Sequence, residues 1–324
     1  MSGIARTHIR RRGSVVIAIT AVAAAAGVAL AGAPAVADDG GGSGGGSGSG
    51  ASYFVASLNA ANEVPVPGGP AAGDQDAAAL QFVEVKGATV TFAVKWSGTG
   101  KPTALHIHQG GKGVNGGVRI DLTPRLDKGR GKGAARTATG SVEVADAAVL
   151  KEFTSNPAGF YTNLHTADFP GGAVRGQFHR VTHGFDVDRA LRSFQAPVLK
   201  GRQIYACVEG ADGKRAFQQS DVRAVLAGGI DHSFVRPNSG TPQWIAPDRS
   251  AVTGSLISRS PNGAGNIPEL DLRAEQSGKK RGLLAPTTEI LRLNTVGGVA
   301  PAGSCEEGSV AAVPYQADYV FIQG

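Results

Sequence analysis

His106-Ile107-His108 is the sharpest chemical feature of the sequence. On a β-strand, residues two apart share a face. Both imidazoles therefore point one way, and Leu105 and Ile107 point the other. Asn163 and His165 repeat the parity, with Leu164 opposite. Imidazole is a common ligand of zinc and copper. Two histidines on one strand and a third from another supply three nitrogen ligands and leave a fourth position open. That donor set does not suit calcium or magnesium, which prefer oxygen. The competing reading of His106, His108 and His165 is a hydrogen-bonded polar cluster that braces the loop from Gly110 to Gly117. Asn115, Asn163 and Arg175 are grouped with the histidines as supports. An inward Arg175 must be paired, with a carboxylate such as Glu63 or Asp121, or with an anionic ligand. His179 is left outside the site.

Other chemistry does not stand out. No Gly-x-Ser-x-Gly elbow occurs in a strand–turn–helix setting. Gly110-Gly111-Lys112-Gly113 has no following helix and no Ser or Thr after the lysine, so it is not a phosphate loop. The acidic residues are scattered, and no glycosidase pair can be picked by spacing. Asp231-His232 and Trp244 with Asp248 read as loop packing, with a ligand groove as the alternative. This pattern weighs against an enzyme.

The elements that must position these residues are β-strands. Ala88 to Trp96 alternates cleanly, with Val90, Phe92, Val94 and Trp96 on one face and Thr89, Thr91, Ala93 and Lys95 on the other. Tyr53 to Leu58 and Ala79 to Val85 read as strands, as do 103–108, 117–122, 137–144, 159–165 and 173–181. A short helix fits Ala145 to Ser155, with Asp146 in its first turn and Pro157 beyond its end. The second half has strand-like runs at 203–208, 251–258, 270–274, 288–293 and 315–321. It also holds both cysteines, Cys207 and Cys305, so their pairing is forced if a bridge forms. Short strands with Gly and Pro punctuation and few helices point to a sandwich or barrel.

The chain opens with a positive region (Arg6, Arg10, Arg11, Arg12), an apolar stretch from Val15 to Leu30 and the small-x-small pattern Ala35-Val36-Ala37. Together these predict a signal peptide over 1–37, with no stable membrane span after processing. A flexible Gly/Ser linker follows over 38–51. The full chain has a net charge of +6; removing the leader leaves 28 basic against 26 acidic residues, or +2. So small a surplus gives no case for nucleic acid as a partner. Arg125, Lys128, Arg130, Lys132 and Arg136 form a local basic loop, read as solvated, with an anionic wall polymer as its alternative contact.

Residues 52–181 resemble the CHRD family, named from chordin. Leu58 to Pro65 (LNAANEVP), Leu105 to Gly117 (LHIHQGGKGVNGG) and Phe160 to Gln177 (FYTNLHTADFPGGAVRGQ) carry the resemblance. It implies an immunoglobulin-like β-sandwich with distant kinship to copper/zinc superoxide dismutases, and no agreed activity. Residues 186–324 are similar to the family of unknown function DUF3455. The carrying segments are Tyr205-Ala206-Cys207, Thr241-Pro242-Gln243-Trp244, Leu293 to Pro301 with Cys305, and Val313 to Tyr319. That family often has a tryptophan after its first cysteine and an Asp-Gly-Ser turn, where this chain has Phe217 and Asp248-Arg249-Ser250.

The sequence thus predicts a mainly β protein: an immunoglobulin-like or superoxide-dismutase-like sandwich, then a second β-rich domain. It is expected to be secreted, extracellular or in the cell envelope. The first functional expectation is a non-catalytic module that binds wall polymer, polysaccharide or another extracellular protein. The alternative is a metal-binding, redox-active domain that uses His106, His108 and His165 to hold zinc or copper.

Overall fold

A computed structural model describes residues 50–128 and 136–324. The expected signal peptide, all of the linker but its last two residues, and Arg130 and Lys132 of the basic loop lie outside the described residues.

The first domain is built from β1 (Ala51–Asn59), β2 (Ala78–Lys86), β3 (Thr89–Ser97), β4 (Pro102–Gln109), β5 (Val118–Asp121), β6 (Arg136–Glu143), β7 (Phe160–Thr166), β8 (Val174–Gln177) and β9 (His179–Val181). All pairings are antiparallel, in the order β5-β4-β7-β8-β1-β2-β3-β6, with β9 also on β1. One continuous sheet carries the domain, because β8 bonds to both β7 and β1. The sheet curls: Leu105 and Ile107 near one end of the order share a core with Phe92 and Ala138 near the other. Helix α1 (Ala147–Ser155) closes this core with Val149, Leu150 and Phe153. Asp146 is its N-cap, not a first-turn residue: its carboxylate accepts from Ala148 N and Val149 N, two of the donors a helix start leaves unpaired. The single strand expected over 173–181 is two, separated at Phe178, whose side chain is fully buried in the core.

After the short helix α2 (Val187–Ala190) comes a closed barrel of eight strands paired in sequence order. They are β10 (Phe194–Glu209), β11 (Arg215–Leu226), β12 (Ile230–Phe234), β13 (Pro242–Ile245), β14 (Ala251–Ser260), β15 (Glu269–Gln276), β16 (Thr287–Gly297) and β17 (Val310–Gln323). Pairing of β10 with β17 closes the ring, so no sheet edge is left unpaired. Cys207 and Cys305 form a disulfide, with Cα atoms 5.8 Å apart.

The two domains share an apolar interface. Val55, Leu80, Phe82 and Ala93, on the outer face of the curled sheet, pack with Leu291, Leu293, Val320 and Ile322 on the outside of the barrel. Burying each such side chain fully contributes about 1.5–3 kcal/mol, less for alanine. No helix among the described residues is long and apolar enough to cross a membrane.

Candidate metal centre

Strands β4, β7 and β8 lie side by side, and their outward residues form two rows. Asp121, His106, Asn163 and Arg175 are successive partners in one row; His108, Tyr161 and Gln177 are partners in the next. The inward residues Leu105, Ile107 and Leu164 are fully buried in the core. This is the parity read from the sequence, and it puts the three histidines on one face. His165 lies opposite Ala104, one pleat along from Asn163.

The rings converge. Their centroids are 5.1 Å apart for His106 and His165, 5.6 Å for His106 and His108, and 6.5 Å for His108 and His165. One nitrogen from each lies within 4.8 Å of the others, and His106 Nδ1 is 3.3 Å from His165 Nε2. Two ligands of a tetrahedral ion at about 2.0–2.1 Å stand ~3.3 Å apart, so this pair already has that spacing.

The second nitrogen of each ring is engaged on the other side. His108 Nδ1 is 3.0 Å from Gly116 O, and His165 Nδ1 is 3.0 Å from Pro170 O. Only a protonated nitrogen can donate to a carbonyl, which leaves Nε2 of His108 as a bare lone pair. His108 Nε2 is buried and has no hydrogen-bond partner. His106 Nε2 faces Thr123 Oγ1 at 3.4 Å and Asp121 Oδ1 at 3.6 Å. Burial holds all three imidazoles below the ordinary histidine range. Asp121 opposes this at His106, Gly116 O at His108 and Pro170 O at His165. Neutral rings are the ligating form.

Arg175 does not make the ion pair expected with Glu63 or Asp121. Its fully buried guanidinium donates to Asn115 Oδ1 at 3.0 Å, Gly111 O at 3.0 Å and Val114 O at 2.9 Å. It lies 3.4 Å from the centroid of Tyr161, whose ring stacks on His108 at 4.8 Å. Asn115 is fixed in turn by its donation to Val64 O at 2.7 Å. The loop from Gly110 to Gly117 is therefore clamped by Arg175 and Asn115, and it hands Gly116 O to His108. Gly116 itself is required, since a Cβ there would fall 1.6 Å from Gln109 O. Asn163 Oδ1 stands 3.0 Å from His165 Nε2.

Glu63, named from the sequence only as a possible partner of Arg175, lies beside Asn163 and Arg175 without pairing with the guanidinium. Its carboxyl is pushed up to about 7 by burial, against the pull of Arg175 and a hydrogen bond with Asn163. Glu63 Oε1 is buried without a partner. Gly172, at φ 120°, makes room for it: a Cβ there would lie 2.4 Å from Glu63 Oε1. The signals for Glu63 in the sequence were its place in the Leu58 to Pro65 segment and the need of an inward Arg175 for a carboxylate. His179 joins neither the triad nor solvent, but faces Glu269 of the barrel at 3.6 Å.

Residues 54–178 match the CHRD domain. This match covers every residue of the site and the curled sheet except the first three residues of β1 and all of β9. Residues 226–323 match DUF3455, a family of unknown function. That match begins at Leu226, so β10, nearly all of β11 and Cys207 precede it. No curated protein and no solved structure matched the chain.

Of the second-domain residues singled out from sequence, His232 and Trp244 come together inside the barrel, stacked at 4.5 Å. Asp231 and Asp248 are exposed and apart from them.

Proposed function

We propose that this chain is an extracellular module whose CHRD domain holds a copper or zinc ion between His106, His108 and His165. The observation that carries the reading is the division of labour within each ring. One nitrogen is held by Gly116 O, Pro170 O or the Asp121–Thr123 pair, and the other turns toward a common centre. Metal-bound histidines are oriented in this way, by a carbonyl or carboxylate on the far nitrogen. A purely structural cluster has no need of a buried nitrogen without a partner, and His108 Nε2 is one. Three neutral imidazoles suit copper and zinc, and they leave a coordination position for water or a ligand. Export is supported by the Cys207–Cys305 disulfide, since such bridges persist in oxidising compartments.

Metal content decides the matter. The mature protein, incubated with copper or zinc and then desalted, should retain about one equivalent of one of these ions. A His106→Ala, His108→Ala double variant should retain none. Equal, near-zero contents in both proteins would leave a bracing cluster in a binding module. N-terminal sequencing of the exported protein should begin at or near Asp38; full-length chain held in the membrane would overturn export.

A further inference from the structure

All eight strands of the barrel send side chains into a lumen of about 590 Å3, inside the range of ~300–1,000 Å3 for small-molecule sites. Much of its wall is apolar: Phe234, Leu256, Ile267, Leu270 and Leu272. Against this surface stands Arg292, which is only 8% exposed. Its Nη2 and Nε donate to Pro268 O at 2.8 and 3.3 Å, and no carboxylate pairs with it among the described residues. A buried cation without a counter-charge is costly.

The groups around Arg292 do not supply that charge. Tyr205 OH donates to Gly298 O at 2.5 Å. His232 Nδ1 donates to Gln243 O at 2.9 Å, so its Nε2 accepts from Tyr319 OH at 3.1 Å. Tyr315 and Tyr319 hydroxyls are 3.3 Å apart. Burial drives His232 down to about 3 and all three tyrosines up, so none is charged near neutrality. Asp221 is committed elsewhere, to Val222 N, Phe234 N and the Arg223 guanidinium.

Gln203 adds an independent observation. It lines the lumen and is 1% exposed. Its Oε1 accepts from Gln219 Nε2, while its own Nε2 has no partner. A buried donor of this kind calls for an acceptor. Among the described residues, Glu275 is the only acidic side chain lining the lumen, and it is exposed.

We propose that the barrel lumen binds a small organic carboxylate with an apolar body. The carboxylate is taken by Arg292 and Gln203 Nε2, and the body lies against Phe234, Leu256 and Leu270. This site is separate from the histidine centre and does not depend on it.

The test uses the full mature chain, with 2-naphthoate and octanoate as probes and 2-naphthamide and 1-octanol as their neutral counterparts. Calorimetry and Trp244 fluorescence report binding. The acids should bind at least about 10-fold more tightly than the neutral compounds, as a hydrogen bond to a charged group implies. Arg292→Gln should remove that preference while leaving the neutral affinity in place. Because Arg292→Gln can fail to fold, two further variants are included. Gln203→Leu should weaken the acids selectively. Leu256→Trp, at a position 48% exposed on the lumen wall, should weaken acids and neutrals alike. Equal affinity for acid and neutral compound, no binding of either acid at millimolar concentration, or acid binding unaltered in all folded variants would each overturn the proposal.

Discussion

An imidazole offers two nitrogens, and what holds one decides what the other can do. At His108 and His165 the holder is a backbone carbonyl, which no side-chain substitution removes. At His106 the nearest charge is the side chain of Asp121, 3.6 Å away. Asp121→Asn therefore tests the bracing with little damage to the fold, because an amide oxygen can still accept from Thr123 N as Asp121 Oδ1 does at 2.9 Å. If the centre binds metal, this variant should hold copper or zinc about 10-fold more weakly, with an unchanged melting temperature. Competition with a chelator of known affinity measures it; wild-type affinity in the variant would show that Asp121 orients nothing. From the sequence, strand parity put His106 with His108 and Asn163 with His165 on one face each, and the CHRD resemblance made the two segments neighbours. The same parity extends to Tyr161, but an aromatic on a strand reads as packing until its stacking on His108 is seen. Glu63 was offered by the sequence only as a partner of Arg175; its contact with Asn163 was out of reach, since it enters from beyond β1, at the end of a 3-10 turn (Ala60–Asn62), and no periodicity reports such a contact.

Alternation is visible in a strand only where one face is wet. In β3 the polar Thr89, Thr91 and Lys95 stay partly exposed, and the sequence reading of that strand holds. In β17 the run Tyr319-Val320-Phe321-Ile322 is buried on both faces, Tyr319 and Phe321 in the barrel core and Val320 and Ile322 against the first domain. Strands β12 and β13, of 5 and 4 residues, are too short and polar to show a period, and β11 was missed beside them. The turn from β13 to β14 was legible in a different way. Where the DUF3455 resemblance implies Asp-Gly-Ser, this chain has Arg249 at φ 69°, a left-handed conformation that costs a non-glycine residue about 1–2 kcal/mol. Asp248 Oδ1 still accepts from Ser250 N at 2.8 Å and Asp248 Oδ2 from Leu283 N at 2.7 Å, so the turn survives the substitution. Arg249→Gly should relieve the strain and lose part of the gain to the greater freedom of unfolded glycine. The expected net is a stabilisation of ~0.5 kcal/mol, read as a higher urea midpoint with unchanged slope. A lower midpoint would mean that the Arg249 side chain contributes more than its backbone costs.

At the scale of the molecule, the apolar seam between sheet and barrel has a polar border. Asn59 and Asn294 both donate to Asp318, at 2.9 and 2.8 Å, and Asn62 donates to Asn294 at 2.9 Å. Within the seam, two carboxyls lie together on the outside of the barrel. Glu289 is fully buried, accepts from Thr182 N at 3.0 Å and His183 N at 3.1 Å, and lies 3.3 Å from the His183 imidazole. Asp271 has no comparable support, and its Oδ1 is buried without a partner. Burial first, and then the neighbouring Glu289, raise Asp271 to about 8. Asp271 thus keeps its proton at neutral pH. The folded chain then holds a proton that the unfolded chain releases near the ordinary aspartate value of 3.8. The resulting stabilisation is complete below that value and is lost as pH rises toward 8. His232 acts in the opposite sense: held down at about 3 by burial, it costs stability progressively as pH falls below its ordinary value of 6.5. Asp271→Asn mimics the protonated acid and keeps a donor for Glu289, so it should remove the alkaline loss and leave the acid limb as it is. Urea midpoints between pH 3 and 9 should converge for the two proteins at the acid end, below the ordinary aspartate value of 3.8. At the alkaline end the variant should be more stable by about 2 kcal/mol or more. Parallel profiles would mean that Asp271 is already ionised in the seam.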